Sequence, residues 1–124
     1  MALNRRQIFG RESESIAVKY LKKQGYKILE QNYRTKLGEI DVIAKDKNTL
    51  VFVEIKARRS DRYGNPKWAI TPKKKRQMSK VALYYLKVTR QMDVKARFDV
   101  VTVRSMENKP QMDIIKNAFE LAYG

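Results

Sequence analysis

The sequence predicts an α/β domain in which helices pack on a central β-sheet. Three observations lead to this prediction. Several segments are rich in β-branched residues, two others carry apolar residues at helical spacing, and these segments alternate along the chain as helix, strands, helix, strands. The 124 residues, 43% of them apolar, suffice for one compact core. We therefore predict a single domain spanning residues 1–124.

The first helix is predicted from Gly10 to Gln24, and Gly25 provides its C-terminal stop. Its inner face has helical spacing and consists of Ala17, Val18 and Leu21. The second helix is predicted to begin in "TPKKKRQ", with Thr71 as N-cap and Pro72 at the first helical position. Its predicted inner face consists of Met78, Val81, Ala82, Tyr85, Leu86 and Thr89.

The strands are predicted from β-branched content. "YKILEQNYR" is predicted to be an edge strand, and "GEIDVIAK" and "TLVFVEIKAR" are apolar enough to be buried on both faces. "ARFDVVTVR" is a further strand, and "QMDIIKNAFELAYG" is predicted to form a short strand followed by a helical turn. Residues 60–67 and 105–110 are predicted loops.

The charge of the chain indicates a polyanionic partner. The net charge is +15, and residues 56–80 contain ten Lys or Arg against one acidic residue. Nucleic acid is the partner that such a surface favours. We expect no membrane partner, because no basic amphipathic helix with an aromatic face is present. With no signal peptide and no apolar run long enough to cross a bilayer, we expect a cytoplasmic protein.

The absence of cysteine and histidine limits the chemistry. It excludes thiolate metal sites, histidine-based acid–base catalysis and the usual zinc sites. Catalysis would have to use carboxylates, lysines, tyrosines or a hard metal ion.

Charged residues interrupt the two central strands. If Lys47 and Asn48 form a two-residue turn, with Asn supplying a positive φ, Asp41 falls opposite Glu54. Directly opposed side chains have Cβ atoms about 4.5–5.5 Å apart, so the two carboxylates would lie side by side. Lys56 is two residues beyond Glu54 and shares its face.

Two carboxylates this close require a proton or a cation between them. Oxygen ligands without His or Cys favour Mg²⁺ or Mn²⁺. Lys56 would orient a water or stabilise negative charge on a phosphate. Glu14 shares the inner stripe of the first helix and is therefore aimed at the sheet.

The basic residues that follow are candidates for phosphate contacts, and those at the predicted start of the second helix lie at a helix N-terminus, which itself attracts phosphate. The candidates are Arg58, Arg59, Lys73, Lys74, Lys75 and Arg76. A structural alternative remains open, in which Asp41 and Glu54 belong to a salt-bridge network and the basic run is solvated surface. Arg97 and Asp99 are predicted to be structural.

The residues of "GEID" and "VFVEIKAR" resemble the PD-(D/E)XK nuclease superfamily, in which an Asp on one strand and an (Asp/Glu)-X-Lys on the next hold catalytic Mg²⁺. Asp41 and Glu54-Ile55-Lys56 match these positions, and Glu14 matches a helix Glu common in the superfamily. From about Gly10 to Leu121, the chain resembles the YraN family of small bacterial proteins, through "ESIAVKYLKKQGYKILEQNYR", "TPKKKRQM" and "RFDVVTV" as well.

The resemblance implies a restriction-endonuclease-like fold and a Mg²⁺-dependent endonuclease acting on DNA. It implies that Asp41, Glu54, the Ile55 carbonyl and Glu14 bind the metal, and that Lys56 positions the attacking water. Similarity to Holliday-junction resolvases raises branched DNA as substrate and a homodimer as the assembly. The alternatives are a catalytically inactive module that binds DNA or RNA through the same basic surface, and an assembly factor whose basic face meets an acidic protein.

Overall fold

Two helices and five strands make up the part of the chain that the structure describes. This computed structural model describes residues 5–58, 70–106 and 109–121, with side chains for 11–57, 70–104 and 109–121. The elements in chain order are α1 (Arg5–Lys23), β1 (Lys27–Thr35), β2 (Gly38–Asp46), β3 (Thr49–Arg58), α2 (Pro72–Val88), β4 (Ala96–Met106) and β5 (Lys109–Phe119).

The five strands form one mixed sheet in the order β1-β2-β3-β4-β5. The first three strands pair antiparallel as a meander, and β4 and β5 pair antiparallel as well. β3 and β4 are parallel and are connected through α2, since a parallel connection needs a crossover of this kind. The fold is therefore α/β with a central mixed sheet flanked by helices, as the sequence predicts, and β1 is the predicted edge strand.

The sheet is covered on both faces. Ala17, Val18 and Leu21 of α1 pack on one face against Val51, Val53, Val101 and other apolar residues. Met78, Val81, Ala82, Tyr85 and Leu86 of α2 pack on the other face against Phe52, Phe98, Phe119 and their neighbours. This two-sided burial explains the nearly continuous apolar runs of β2 and β3.

The predicted hairpin register between β2 and β3 is correct. Asp46 lies opposite Thr49, and the ladder continues to Val42 opposite Val53. The positive φ of the turn belongs to Lys47 (57°), whereas the sequence pointed to Asn48.

The structure corrects three other expectations. The C-terminal segment forms the 11-residue strand β5, where a short strand and a helical turn were predicted. Thr89 caps the C-terminus of α2 and is exposed, so it does not belong to the buried face. Four of the residues predicted as a loop at 105–110 belong to strands, because β4 extends to Met106 and β5 begins at Lys109. The predicted loop at residues 60–67 lies outside the described residues.

A buried polar network ties the far end of the sheet together. The fully buried Asp99 carboxylate accepts hydrogen bonds from Tyr26 Oη (2.8 Å), Arg97 Nε (2.9 Å) and the Asn117 backbone N–H (2.9 Å). Arg97 also forms an ion pair with Asp46 at 2.7 Å. These contacts connect β4 to β5, to the α1–β1 turn and to the β2–β3 hairpin, which confirms the structural role predicted for Arg97 and Asp99.

Candidate active site

The candidate site lies where the central sheet separates into two halves. The described β2–β3 ladder ends at the pair Val42–Val53. Beyond this pair, Ile40 and the preceding residues of β2 remain paired with β1. Glu54 and the following residues of β3 remain paired with β4. Asp41 and Glu54 are therefore the first residues past the point of separation, facing each other across the opening. We call this opening the strand cleft.

Asp41 is held at the head of the strand cleft by the backbone of β3. Its Oδ2 accepts a hydrogen bond from the Ile55 N–H at 2.8 Å. The flanking residues of β2 pack on opposite faces of the sheet, Ile40 beneath α2 and Val42 beneath α1. Residues two apart normally share a face, so β2 is irregular at Asp41. The Asp41 carboxylate thus accepts a hydrogen bond from the β3 backbone in the place of a β2 backbone carbonyl.

Glu54 is a buried carboxyl group that hydrogen-bonds to Asp41. Its residue exposure is only 5%, and its buried Oε2 has no hydrogen-bond partner among the residues that the structure describes. Burial raises the pKa of Glu54 to about 8, and the hydrogen bond and negative charge of Asp41 act in the same direction. At neutral pH the pair therefore shares a proton in the absence of another cation.

Two lysines bring positive charge to this pair. Lys74 Nζ lies 3.4 Å from Glu54 Oε2, and the charges of Lys74 and Lys56 both oppose the rise in the pKa of Glu54. Lys74 is in the first turn of α2, where its backbone N–H donates to the N-cap Thr71 Oγ1 at 3.1 Å. The predicted Thr71 cap and Pro72 start of α2 are confirmed, and they set this turn beside Glu54.

Glu14 approaches the pair from α1. Burial raises its pKa, and the negative charges of Asp41 and Glu39 raise it further, whereas a hydrogen bond from the Asn32 side chain and the charge of Arg34 lower it. Glu14 is therefore near Asp41. Among the described residues, however, no three acidic side chains converge closely enough to form a ready-made metal cluster.

Asn32 is a site residue that the sequence reasoning missed. The β1–β2 register places it across from Asp41, between the pairs Gln31–Val42 and Tyr33–Ile40. Its φ is 51°, a left-handed conformation that Asn adopts more readily than most residues. This tolerance is the only local signal that could have singled it out.

The basic residues predicted to bind nucleic acid divide into several groups. Lys74 is paired with Glu54, and Lys75 Nζ lies 5.8 Å from the centre of the Phe119 ring. Lys73 is exposed and Arg76 is partly exposed on the same turn of α2. Arg58 ends β3, and Arg59 lies outside the described residues. Within the described residues, Lys74 therefore contacts the strand cleft through Glu54, while the charge of Lys75 lies near the Phe119 ring.

The molecule is an α/β domain with an Asp and a Glu-X-Lys at the point where its central strands separate, the arrangement that the sequence resemblance implies. A family model described as "Uncharacterised protein family UPF0102" matches residues 13–103. The chain belongs to this family, the YraN family that its sequence resembles.

Relatives named UPF0102 protein match nearly end to end. The protein from Desulfosudis oleivorans is 52% identical over 118 residues, which cover 95% of this chain and 94% of the relative. The Geobacter metallireducens protein is 50% identical, covering 99% of this chain and all of the relative. The Caldicellulosiruptor saccharolyticus protein is 47% identical, with coverage of 94% and 100%.

A solved structure of Pyrococcus furiosus SfsA, in complex with Ca²⁺, aligns with 90% of this chain and 62% of its own, at 13% identity and a TM-score of 0.40.

In the part of this chain that the structure describes, no helix is both long and apolar enough to span a bilayer.

Proposed function

We propose that this protein is a metal-dependent endonuclease that hydrolyses phosphodiester bonds in DNA at the strand cleft. The observation that supports this most directly is the pairing of Asp41 with the buried Glu54 in a protein whose net charge is +15. Two adjacent carboxyl groups are unfavourable unless a proton or cation is shared between them. A divalent cation held by the pair would remove this repulsion and would attract a phosphate.

Comparison with Asp99 supports a functional role for Glu54. Asp99 is a structural acid, and Tyr26, Arg97 and Asn117 all donate hydrogen bonds to it. Glu54 is almost as buried, yet within the described part of the chain its Oε2 accepts no hydrogen bond, and the ammonium of Lys74 lies 3.4 Å away. A buried polar atom left without a hydrogen bond costs about 1–3 kcal/mol and calls for an explanation. A metal ligand provides one.

The donor set fits a hard divalent cation, and we propose Mg²⁺ or Mn²⁺. Asp41 and Glu54 would hold it, with the Ile55 carbonyl and Glu14, directly or through water, as further ligands. When bound, such an ion lowers the pKa of a water molecule and stabilises negative charge on a phosphate. Lys56 holds a positive charge beside Glu54, where it would position that water or the phosphate.

The remaining cations would hold the nucleic acid backbone. Exposed Lys73 and partly exposed Arg76 lie on the turn of α2 that contacts Glu54 through Lys74, so a phosphate bound there is close to the carboxylates. Arg58, Arg59 and Lys75 would extend this surface. Contacts of this kind supply affinity without sequence information. We propose DNA, branched forms included, as substrate, the cytoplasm as location and a homodimer as the assembly.

The test is cleavage of a labelled panel of single-stranded, duplex, flap and four-way-junction DNA, together with RNA, in Mg²⁺, Mn²⁺ or EDTA. We expect metal-dependent cleavage of DNA that falls at least about 100-fold in Asp41→Asn and Glu54→Gln, because these remove charge at the cation. Asp113→Asn is the matched control, since Asp113 is an exposed acid on β5 paired with Arg104. Equal cleavage by all three variants would reject the assignment.

A second candidate is a nucleic-acid-binding module without catalysis. The Lys74–Glu54 ion pair favours it, because the ammonium already supplies positive charge to Glu54. This candidate predicts binding that weakens with salt, is unaffected by EDTA and tolerates Asp41→Asn. Binding without cleavage of any substrate, in every metal condition, would support this second candidate.

A further inference from the structure

A polar groove runs between α1 and β1 and adjoins the strand cleft. It encloses about 480 Å³, a volume within the range of small-molecule sites. Arg11, Lys19 and Lys22 of α1 line one wall, and Gln31 and Asn32 of β1 line the other, with Glu14 also in the lining. These cations lie on the opposite side of the sheet from the basic start of α2, since the two helices cover opposite faces.

The three cations form one row along α1. Residues 11, 15, 18, 19 and 22 recur at helical spacing, so they share a face. From Arg11 to Lys22 the row extends about 16 Å at 1.5 Å per residue. Within the described residues, none of the three has an acidic partner within ion-pair distance, in contrast to Lys74 and Arg97. Their charge is therefore available to a ligand.

The opposite wall is neutral and able to form hydrogen bonds. The side-chain amides of Gln31 and Asn32 each offer a donor and an acceptor. A ligand that fits this groove carries negative charge along one side and neutral hydrogen-bonding groups along the other. An unpaired nucleic acid strand has this character, with phosphates on one side and base edges on the other, whereas a duplex presents a charged backbone on both sides.

The groove leads to the carboxylates. Glu14 belongs to the groove lining, and its pKa responds to the charge of Asp41. Asn32 hydrogen-bonds to Glu14 and occupies the register position across from Asp41. A strand lying in the groove would therefore pass Glu14 and approach Asp41, where a phosphate would meet the candidate cation.

We infer that the α1–β1 groove binds an unpaired nucleic acid strand, with phosphates on Arg11, Lys19 and Lys22, and guides it to the strand cleft. This inference rests on the proposed nuclease function and specifies its substrate as DNA with a single-stranded segment. The three cations along this row can each contact a phosphate of one strand.

The test measures binding of a fluorescent single strand and of the corresponding duplex by anisotropy in EDTA, where metal-dependent cleavage is prevented. The variant is Lys19→Ala with Lys22→Ala. The matched control is Lys87→Ala with Lys95→Ala, two exposed lysines near the C-terminal end of α2 and the start of β4, so that both proteins lose the same charge. Circular dichroism and thermal unfolding verify that each protein is folded.

We expect the groove variant to bind the single strand about tenfold more weakly than the control does, while the two bind the duplex alike. The dependence of log K on log salt should become shallower by about 1.4 for the single strand, since each lost phosphate contact contributes about 0.7. Gln31→Ala should weaken single-strand binding without changing this slope, because an amide releases no counterion.

Equal losses in the groove variant and the control, or a larger loss for the duplex, would overturn the inference. Cleavage is not part of this readout. If the wild-type protein binds single strands through the groove but cleaves nothing, the inference stands and the nuclease proposal fails. If it cleaves DNA but binds single strands equally in both variants, the groove assignment alone is wrong.

Discussion

Glu54 makes the stability of the protein depend on pH in an unusual direction. Its pKa is about 8 in the folded, metal-free protein and near the ordinary 4.5 in the unfolded chain, so between these values the folded state binds the additional proton. Stability contributed by this group is therefore lost as pH rises from about 4.5 through 8. The chain has no histidine, so few other side chains titrate in this window.

We predict that Glu54→Gln removes most of this dependence, because the amide keeps the shape of the side chain and carries no ionisable proton. At about pH 8.5, in EDTA, the variant should be more stable than the wild type by roughly 1 kcal/mol or more, while at about pH 5.5 the difference should be much smaller. Urea denaturation at the two pH values measures this. Glu12→Gln, an exposed carboxylate on α1, is the control. A wild-type pH dependence that survives in Glu54→Gln would exclude Glu54 as the titrating group.

At the scale of elements, Gly38 controls how β2 begins beneath α2. Its φ is 144°, a conformation that L side chains rarely adopt, and an added Cβ would lie 2.5 Å from Gln77 Cγ. Gly38 pairs with Thr35 across the β1–β2 turn, three residues before Asp41. The close approach of α2 at this point therefore requires glycine.

We predict that Gly38→Ala destabilises the protein by about 1–3 kcal/mol, through both backbone strain and the clash with Gln77. Adding Gln77→Ala should recover part of the loss, since it removes the clash but leaves the strained φ. Urea denaturation of the two single variants and the double variant forms the required cycle. If Gln77→Ala gives no recovery, strain alone accounts for the cost.

Sequence reasoning predicted the central elements well and the C-terminal element poorly. The β2–β3 register was predictable because a short turn leaves few alternatives and both strands are apolar on two faces. For β5 the sequence predicts a short strand and a helical turn, since "IIKNAFELAY" has apolar residues at helical as well as strand positions. Ile114 and Ile115 are adjacent but pack with different core clusters, an arrangement that pairing with β4 imposes.

At the scale of the whole molecule, the site depends on contacts between residues distant in sequence. The pairing of Asp41 with Glu54 followed from local geometry, because one hairpin carries both. The approach of Lys74 to Glu54 and of Asn32 to Glu14 depends on how α2 and β1 pack, which no sequence spacing reports. The groove between α1 and β1 was missed for the same reason, although Arg11, Lys19 and Lys22 stand at helical spacing.

The strand cleft should also couple cation binding to the stability of the whole domain. An unfolded chain of net charge +15 repels a divalent cation. An ion held by Asp41 and Glu54 would therefore stabilise only the folded state. At ten times its dissociation constant, the ion should add about 1.4 kcal/mol, a rise in Tm of about 5 °C for a domain of this size. Near pH 8 the effect should be larger than near pH 6, because the cation displaces the proton shared by the two carboxyl groups and less of that proton is bound at higher pH.

Thermal unfolding with increasing Mg²⁺ or Mn²⁺ measures this shift. We expect it in the wild type and in Asp113→Asn, and we expect it to be absent in Asp41→Asn and Glu54→Gln. A shift of equal size in all four proteins would indicate ions bound elsewhere on the surface. No shift in the wild type, even at high metal concentration, would mean that the carboxyl pair holds no cation in the absence of nucleic acid, and would count against the proposed metal site.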